Sequence, residues 1–310
     1  MNKKQGFIKK ELIYFKKNSE LTLLALPAVI MLFIFHYIPL FGLVLPFLDY
    51  RYDTGFFGSA FAGLKNFEFL FSGSGILAAT RNTVLYNIAF IVIGTCCSLA
   101  VALVLNELRK NMVKIYQTIL FLPYFVSWVV VGFVFSAFLD MEYGVFNKIL
   151  AFFGKDAIMW YNEPKYWPFL ILFINIWKGV GYGALLYYAS LMSVDSSYYE
   201  AAILDGASKM KQIWYISLPA LKPMILLCFI MNIGSLFKGD FGLFYNVPLN
   251  SSLLYSTTDV IDTFVYRALI NLNDIGMSSA ATFYQSFVGL ILVNLSNWII
   301  KKVDADSAMF

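Results

Sequence analysis

Six apolar runs, each long enough to cross a bilayer, constrain this sequence more than any other feature. In lipid, about 20 apolar residues in an α-helix span the hydrocarbon core and satisfy their own backbone hydrogen bonds. The 310 residues are 60% hydrophobic and only 14% charged, which is typical of a membrane protein and not of a soluble domain. We therefore expect an all-α, polytopic membrane protein with six transmembrane helices. The six runs cover residues 21–45, 82–105, 116–139, 166–191, 220–237 and 277–300.

The basic residues between these runs predict the orientation of the chain. With the N-terminus inside, 14 Lys and Arg residues fall on the cytoplasmic side against 8 on the other, where 11 acidic residues dilute them. Short cytoplasmic loops carry an excess of Lys and Arg, so both termini are expected in the cytoplasm of a bacterial cell, with the chain in its plasma membrane. The run 21–45 is too long for a cleaved signal peptide and is interpreted as an anchor.

Several kinds of chemistry have no support in the sequence. No G-x-x-x-x-G-K-[ST] motif is present, so ATP binding through a P-loop is not expected. No Asp or Glu falls inside any of the six runs, although ion-coupled carriers generally need such groups near the membrane midplane. The three cysteines lie in apolar runs, and neither a metal site, a nucleic-acid-binding patch nor a nucleophile–base arrangement is evident. We expect a chain that is not an enzyme and binds no cofactor.

A polar stretch, residues 195–223, interrupts the apolar pattern between the fourth and fifth runs. Ser197 and Glu200 form an S-x-x-E pattern, which predicts a capping box at the start of a short helix. Gly206 can end that helix in a left-handed conformation. A second segment, 207–217, is expected to stop at Leu218-Pro219, where the proline ends one element and can open the next. On these features alone, an amphipathic connector in the membrane interface is an alternative interpretation.

The same stretch resembles the signature of a known family. Glu200-Ala201-Ala202, then three residues, Gly206, nine residues and Ile216-Ser217-Leu218-Pro219, is similar to the EAA motif of binding-protein-dependent ABC importer permeases. Other fragments resemble the sugar-uptake branch of that family, the polysaccharide and oligosaccharide permeases related to the maltose permease. These fragments are Gly63–Phe67, Leu122–Gly132 and Asn175–Gly183. Together with the EAA motif, the resemblance extends over nearly the whole chain.

This resemblance implies the MetI-like fold of type I importer permeases, with a cytoplasmic coupling helix that docks into a cleft of an ATPase subunit. The residues it assigns to coupling are Tyr199, Glu200, Ala201, Ala202, Asp205, Gly206 and Pro219. The implied domains are a basic cytoplasmic segment 1–20, a first transmembrane helix with an external loop 21–79, an ABC transmembrane type-1 domain 80–302 with five helices and the coupling loop 195–219, and a cytoplasmic tail 303–310.

The resemblance also implies partners. They are a second, homologous permease in a heterodimer, two ABC ATPase subunits that bind ATP and Mg²⁺, an extracellular solute-binding protein and the surrounding lipid bilayer. No nucleic acid is expected among them.

A sugar pathway needs aromatic faces for C–H surfaces and amide or hydroxyl groups for sugar hydroxyls. Asn175, Gly179 and Tyr182 share one helical face, and by the resemblance Tyr124 and Asn175 match sugar-contacting residues. Trp128 departs from the smaller hydroxyl residue of the maltose permease. Ordinary aromatic packing in a helical bundle is the alternative for each of them. The candidates are Tyr124, Ser127, Trp128, Asn175, Trp177, Lys178, Gly179, Tyr182, Asn232 and Ser235.

Lys178 is the one lysine or arginine deep inside a run, about 12 residues from its start. A lysine there is costly unless it faces a polar interior, so it either has a functional role or snorkels toward water in the pathway. Gly179, Gly181 and Gly183 in the same run are interpreted as positions of close helix packing. Trp160, Tyr161, Tyr166 and Trp167 predict an interfacial aromatic belt.

We therefore expect the permease subunit of an ATP-driven importer for a sugar, an oligosaccharide or a fragment of a polysaccharide. An ABC permease for a non-sugar solute and a carrier driven by an ion gradient are alternatives, as is a membrane scaffold that transports nothing.

Overall fold

The computed structural model describes residues 18–303, which form two compact units that divide between Asn66 and Phe67. The basic segment 1–17 and the tail 304–310 lie outside the described residues, so the expectations placed on them are not addressed by the structure.

The first unit contains one long helix and a small hairpin. Helix α1 (Ser19–Leu32) continues through a π-helical turn, Phe33–Tyr37, into a 3₁₀ run, Ile38–Phe47. No residue of α1 is buried, as expected of a helix whose surface faces lipid. The hairpin pairs strand β1 (Leu48–Asp49) antiparallel with β2 (Ala60–Phe61), in the register Leu48 to Phe61, and a single turn of helix, α2 (Gly55–Gly58), lies between them.

The second unit consists of helices and the loops between them, and no strand is assigned among its described residues. Its helices are α3 (Phe69–Ser72), α4 (Ser74–Glu107), α5 (Lys110–Phe125), α6 (Trp128–Phe138), α7 (Val145–Phe152), α8 (Trp167–Leu191), α9 (Ser196–Leu204), α10 (Lys209–Gln212), α11 (Leu218–Gly234), α12 (Phe241–Asn246), α13 (Tyr255–Thr258), α14 (Ile261–Leu272) and α15 (Ile275–Val303). Short 3₁₀ turns lie at Lys65–Phe67, Trp160–Asn162, Pro164–Tyr166 and Ser252–Leu254.

Five helical segments within residues 18–303 are long and apolar enough to cross a membrane. The third apolar run of the sequence, 116–139, is not among them. It divides into α5 and α6, whose axes differ by 96°, so this run is not one uninterrupted helix. Pro123 lies in the last turn of α5, and Val126 and Ser127 adopt extended backbone angles that end the helix. The five segments are Ser19–Phe47, Gly75–Glu107, Pro164–Leu191, Lys209–Gly234 and Ile275–Lys302.

The expected stop at Pro219 does not occur. Helix α10 passes through a π-helical turn, Ile213–Ser217, directly into α11, and the whole segment Lys209–Gly234 is one continuous helix. Pro219 lies in the first turn of α11, where its missing N–H group and fixed φ angle do least harm.

Small residues of α8 allow this helix to pack closely against both α4 and α5. A Cβ atom at Gly183 would lie 2.4 Å from Ser98 Oγ on α4, and one at Gly181 would lie 1.9 Å from the carbonyl oxygen of Leu120 on α5. Gly181 and Gly183 therefore confirm the prediction of close helix packing. Gly179 does not, because no atom lies within 4 Å of the equivalent position there.

Residues of the segments 139–166 and 235–274 pack with residues of α4, α6 and α8 in one hydrophobic core, which we call the loop-rich end of the bundle. Trp160 and Trp167 are 9% and 0% exposed and belong to this core, so the prediction of an interfacial belt was wrong for them. Their indole N–H groups explain the burial: Trp160 donates to Asn147 Oδ1 (3.0 Å) and Trp167 to the carbonyl oxygen of Trp160 (2.8 Å). A buried indole is stable only when its donor is paired, and both donors are.

Candidate transport cleft and coupling loop

A cleft of about 560 Å³ opens between α4, α8 and α11, and its lining is rich in amide and hydroxyl groups. Helix α8 contributes one face of this lining with Asn175, Gly179 and Tyr182, as their spacing predicts. Asn232 at the end of α11 and Ser235 just after it form another part. Five of the ten residues proposed for the pathway therefore line a single cleft.

Two carboxamides in this cleft keep their hydrogen-bonding groups available. The side chains of Asn175 and Asn232 make no hydrogen bond to any residue within 18–303. Asn87 of α4 differs, because its Nδ2 donates to the carbonyl oxygens of Thr83, Leu236 and Lys238 and ties α4 to the segment after α11. Asn175 and Asn232 are thus the amides that can exchange hydrogen bonds with a polyhydroxyl ligand.

Gly179 keeps the cleft open on the α8 side. A Cβ atom at this position would meet nothing within 4 Å, so the absence of a side chain leaves space in the cleft next to Asn175.

Three other predicted residues cluster beside the cleft, at the break between α5 and α6. Tyr124 stacks on Tyr182, with ring centroids 4.8 Å apart and planes 10° apart. Lys178 Nζ donates to the carbonyl oxygen of Tyr124 (2.7 Å) and lies 5.0 Å from the centre of the Trp128 ring. Tyr182 therefore touches both the cleft and this cluster, while Lys178 is engaged with protein groups.

The last two predicted residues have local structural contacts. Ser127 is the N-cap of α6, where its Oγ accepts from the backbone N–H of Val130 (3.4 Å). Trp177 packs edge-on against Phe135, with ring centroids 5.9 Å apart. Neither residue lines the cleft.

The sequence interpretation missed the contribution of α4 and of the segment after α11. Thr95 and Ser98 of α4 line the cleft together with Asn87. Lys238 and Asp240, which follow α11 and which we call the rim residues, line it as well. A signal for α4 was present, because these polar residues recur at positions 87, 95 and 98 on one face of an apolar helix. The rim residues gave no such signal, since they lie outside any periodic element.

A short helix, α9, is present where the sequence predicts one, but it begins differently from the expectation. Asp195 is its N-cap, with Oδ1 accepting from the Ser197 backbone N–H (2.9 Å), and Ser197 lies inside the first turn. The capping box of Ser197 and Glu200 was therefore wrong, because the Asp195 carboxylate already occupies that role. The hydrogen bond from Ser197 lowers the pKa of Asp195. Its contribution to stability is thus present above the pKa of the unfolded chain and is lost as the pH falls through the lowered value.

Gly206 ends α9 as its position predicts. Its φ is +75°, and the backbone N–H groups of Gly206 and Ala207 donate to the carbonyl oxygens of Ile203 (3.0 Å) and Ala202 (2.8 Å). This pair of bonds is a Schellman motif, in which a left-handed residue closes the helix. A Cβ atom at Gly206 would meet nothing within 4 Å, so the space beside it is open.

The predicted coupling residues divide between two sides of α9. Tyr199 faces the bundle, where its hydroxyl is 3.0 Å from Ser217 Oγ, and Ala202 is half-buried. Glu200 and Ala201 are exposed, as are Asp205 and Gly206 beyond the helix and Pro219 on α11. Lys209 then ties the loop to the end of α4 through an ion pair with Glu107 (2.7 Å).

Comparison with known proteins identifies the family. The model of a family described as the binding-protein-dependent transport system inner membrane component matches residues 73–305. The chain belongs to this family. Its members are permease subunits of ABC transporters, which are transport components of the membrane and not enzymes.

Individual relatives are similar over nearly the full chain. The sequence is 33% identical to Protein LplB of Bacillus subtilis (strain 168) over 292 residues, 94% of this chain and 91% of that protein. It is 34% identical to the polygalacturonan/rhamnogalacturonan transport system permease protein YteP of the same organism over 296 residues, covering 95% and 91%. These matches confirm the resemblance to the sugar-uptake branch of the ABC importer permeases.

A solved structure shows the same fold. A chain of a bacterial alginate ABC transporter, crystallised with an alginate pentasaccharide-bound periplasmic protein, matches with a TM-score of 0.84 at 28% sequence identity. The match covers 93% of the present chain and 96% of that one. The present chain is thus the membrane permease subunit of an ABC importer, and a self-sufficient carrier driven by an ion gradient has no support.

Proposed function

We propose that this permease moves an oligosaccharide or a fragment of a polysaccharide through the cleft between α4, α8 and α11. The observation that carries the proposal is the pair of carboxamides, Asn175 and Asn232, whose side chains have no hydrogen-bond partner within residues 18–303 and lie in an open cleft that also carries hydroxyl groups. Such groups exchange water hydrogen bonds for sugar hydroxyl bonds. The relatives named for polygalacturonan and alginate transport support the same class of cargo.

In the assembled transporter, this chain pairs with a second, homologous permease, so that its cleft forms one half of the pathway. Two ABC ATPase subunits bind below, and a solute-binding protein delivers cargo on the other side. The alginate transporter, crystallised with a periplasmic protein, supports the last of these partners. ATP and Mg²⁺ are held by the ATPase subunits.

We place the coupling loop and both termini in the cytoplasm, because the lysine and arginine residues are concentrated there. The bent pair α5 and α6 forms the sixth span, so that the chain crosses the membrane six times. Helix α9 is the coupling helix, with Glu200, Ala201, Asp205 and Gly206 presented to the ATPase. Movement of the ATPase subunits displaces α9, and the contacts of Tyr199 with Ser217 and of Lys209 with Glu107 carry that displacement to α11 and α4.

Transport assays with defined cargo test this proposal. Cells that lack this chain, and the same cells supplied with it, are compared for uptake of labelled galacturonan oligosaccharides, alginate oligosaccharides, maltooligosaccharides and a non-sugar set of amino acids and peptides. We expect uptake of at least one oligosaccharide to depend on the chain and to need ATP. Uptake that depends on the chain only for amino acids or peptides would contradict a sugar pathway.

A further inference from the structure

The break between α5 and α6 leaves backbone groups that the helix itself cannot pair. In an uninterrupted helix the carbonyl oxygen of Tyr124 would accept from the backbone N–H of residue 128, four positions later. Val126 and Ser127 are extended, so that bond is not made. Lys178 Nζ donates to this carbonyl oxygen instead, at 2.7 Å. A lysine in the middle of α8 thus caps the C-terminal end of α5, where a positive charge also complements the helix dipole.

The same ammonium group is held by two aromatic rings. It lies 5.3 Å from the centre of the Tyr124 ring and 5.0 Å from that of Trp128, within the range of cation–π attraction. Lys178 therefore contacts the last turn of α5 and the first residue of α6 at once, and so fixes the angle between them.

Trp128 carries this contact to the rim of the cleft. Its Nε1 donates to Asp240 Oδ2 (2.8 Å), and the other carboxylate oxygen of Asp240 accepts from the backbone N–H of Leu243 at the start of α12 (3.2 Å). The indole also lies against Gly242, where a Cβ atom would be 2.2 Å from Trp128 Cδ1. Asp240 lines the cleft, so the position of Trp128 sets the position of a cleft residue.

We infer that Lys178, Trp128 and Asp240 act as one positioning unit, which ties the α5–α6 break to the rim of the cleft and sets how open the cleft is. This inference deepens the proposed function, on which it rests. Lys178 is a positioning residue in this unit: it acts through Tyr124 and Trp128 and is not a binding group for an anionic cargo.

A thiol reporter in the cleft tests the inference without any cargo. Met231 lines the cleft and can be replaced by cysteine in a chain whose Cys96, Cys97 and Cys228 are serine. The rate at which a charged, membrane-impermeant methanethiosulfonate reagent modifies Cys at position 231 is then measured in membranes that contain the complete transporter. In fragmented membranes the reagent reaches the protein from both sides of the bilayer. Differences in the rate between variants therefore report how accessible the cleft is.

We expect Trp128→Phe and Asp240→Ala each to raise this rate by about fivefold or more, the change that corresponds to one net hydrogen bond. Gly242→Ala should raise it as well, because the added methyl group displaces the indole. Trp128→Phe combined with Asp240→Ala should give the same rate as Asp240→Ala alone, because that change has already removed the contact that Trp128 makes. Lys178→Met should also raise the rate, and Lys178→Arg should restore it, since a guanidinium can both donate to the carbonyl and stack on the rings. Trp298→Phe on α15, whose ring is exposed, is the matched control and should change nothing.

Three results would overturn the inference. If the fold-changes multiply in the double variant, Trp128 and Asp240 act independently. If Lys178→Arg and Lys178→Met give equal rates, the positive charge of Lys178 has no part in positioning the unit. Unchanged rates in all the variants would show that the rim is positioned by other contacts. The reporter needs no cargo, so a wrong cargo class leaves this test readable. A failed reporter test likewise leaves the uptake test unaffected.

Discussion

At the scale of single residues, the decisive contrast lies among the amides that line the cleft. The Asn87 amide donates to three carbonyl oxygens and so links α4 to the segment after α11. The amides of Asn175 and Asn232 donate to no described residue. The same type of side chain therefore has a structural role at position 87 and is available to a ligand at positions 175 and 232. The free amides are the ones whose loss should affect cargo and leave the fold intact.

Asn175→Ala should therefore weaken transport without affecting assembly. Each cargo hydroxyl that loses its partner costs about 1–3 kcal/mol, which corresponds to about a 5- to 150-fold rise in the concentration needed for half-maximal uptake. Uptake kinetics and the amount of assembled complex in the membrane are the measurements. Asn294→Ala on α15 is the matched control, because that amide bonds to the carbonyl oxygen of Leu290 in its own helix. Equal uptake in the two variants would show that Asn175 only fills space.

The sequence can point to residues such as Asn175 and Lys178, because a polar group inside an apolar run needs a reason to be there. It cannot tell that Lys178 caps another helix, since the carbonyl oxygen it reaches belongs to Tyr124, 54 positions away. Asp240 was missed for the same reason: its role depends on Trp128, which only the folded chain brings near.

At the scale of elements, hydropathy predicts where helices are but not where they break. The run 116–139 contains Pro123 and a capping serine, Ser127, yet its apolar residues continue across the break and conceal it. The opposite error occurred at Pro219, where the helix continues through a π-helical turn and the proline lies in the first turn of α11. In both places the backbone geometry of a single turn decides the outcome, and residue spacing does not encode it.

The loop-rich end is held by a buried ion pair, and this element yields a stability prediction. The Arg267 guanidinium contacts the Asp259 carboxylate, with side chains 16% and 9% exposed, and lies over the ring of Tyr255. Arg267→Met should cost about 3–5 kcal/mol, because it leaves a buried carboxylate without its counter-charge. The measurement is the thermal unfolding midpoint of the purified complex in detergent.

Arg51→Met is the matched control for this change. Arg51 pairs with Asp53, but the two side chains are 68% and 64% exposed, so the change should cost about 0–1 kcal/mol. A midpoint for Arg267→Met equal to that of the control would show that the ion pair does not hold the loop-rich end.

At the scale of the whole molecule, the six apolar runs were sufficient to predict an all-α membrane protein, and the EAA motif to predict its family. Both predictions rest on patterns that extend over many residues, so an error of a few residues in a helix boundary does not change them. The side of the membrane on which each loop lies rests on the basic residues alone, and it can be tested directly.

Thiol labelling of single cysteines should establish this topology. Cysteines at positions 112 and 208 should be labelled by an impermeant reagent only in inside-out vesicles, and those at 155 and at the exposed position 253 only in intact cells. The reason is the excess of lysine and arginine on the side of the coupling loop. Labelling of position 208 in intact cells would place the coupling loop outside and remove its contact with an ATPase.

The central claim, that α9 transmits ATPase movement to the cleft, depends on the left-handed turn at Gly206. Gly206→Val should fail because a β-branched residue resists a φ of +75° and adds bulk to the surface that docks. Gly206→Asn is the matched control, since asparagine tolerates the left-handed region and the space there is open. Neither change lies in a membrane span, so both variants should assemble in normal amounts.

The most direct measurement is the hydrolysis of ATP by the reconstituted transporter, with and without its cargo-loaded binding protein. We predict that Gly206→Val abolishes the stimulation by cargo while Gly206→Asn keeps most of it. Full stimulation in Gly206→Val, together with normal uptake, would contradict the assignment of α9 as the coupling helix.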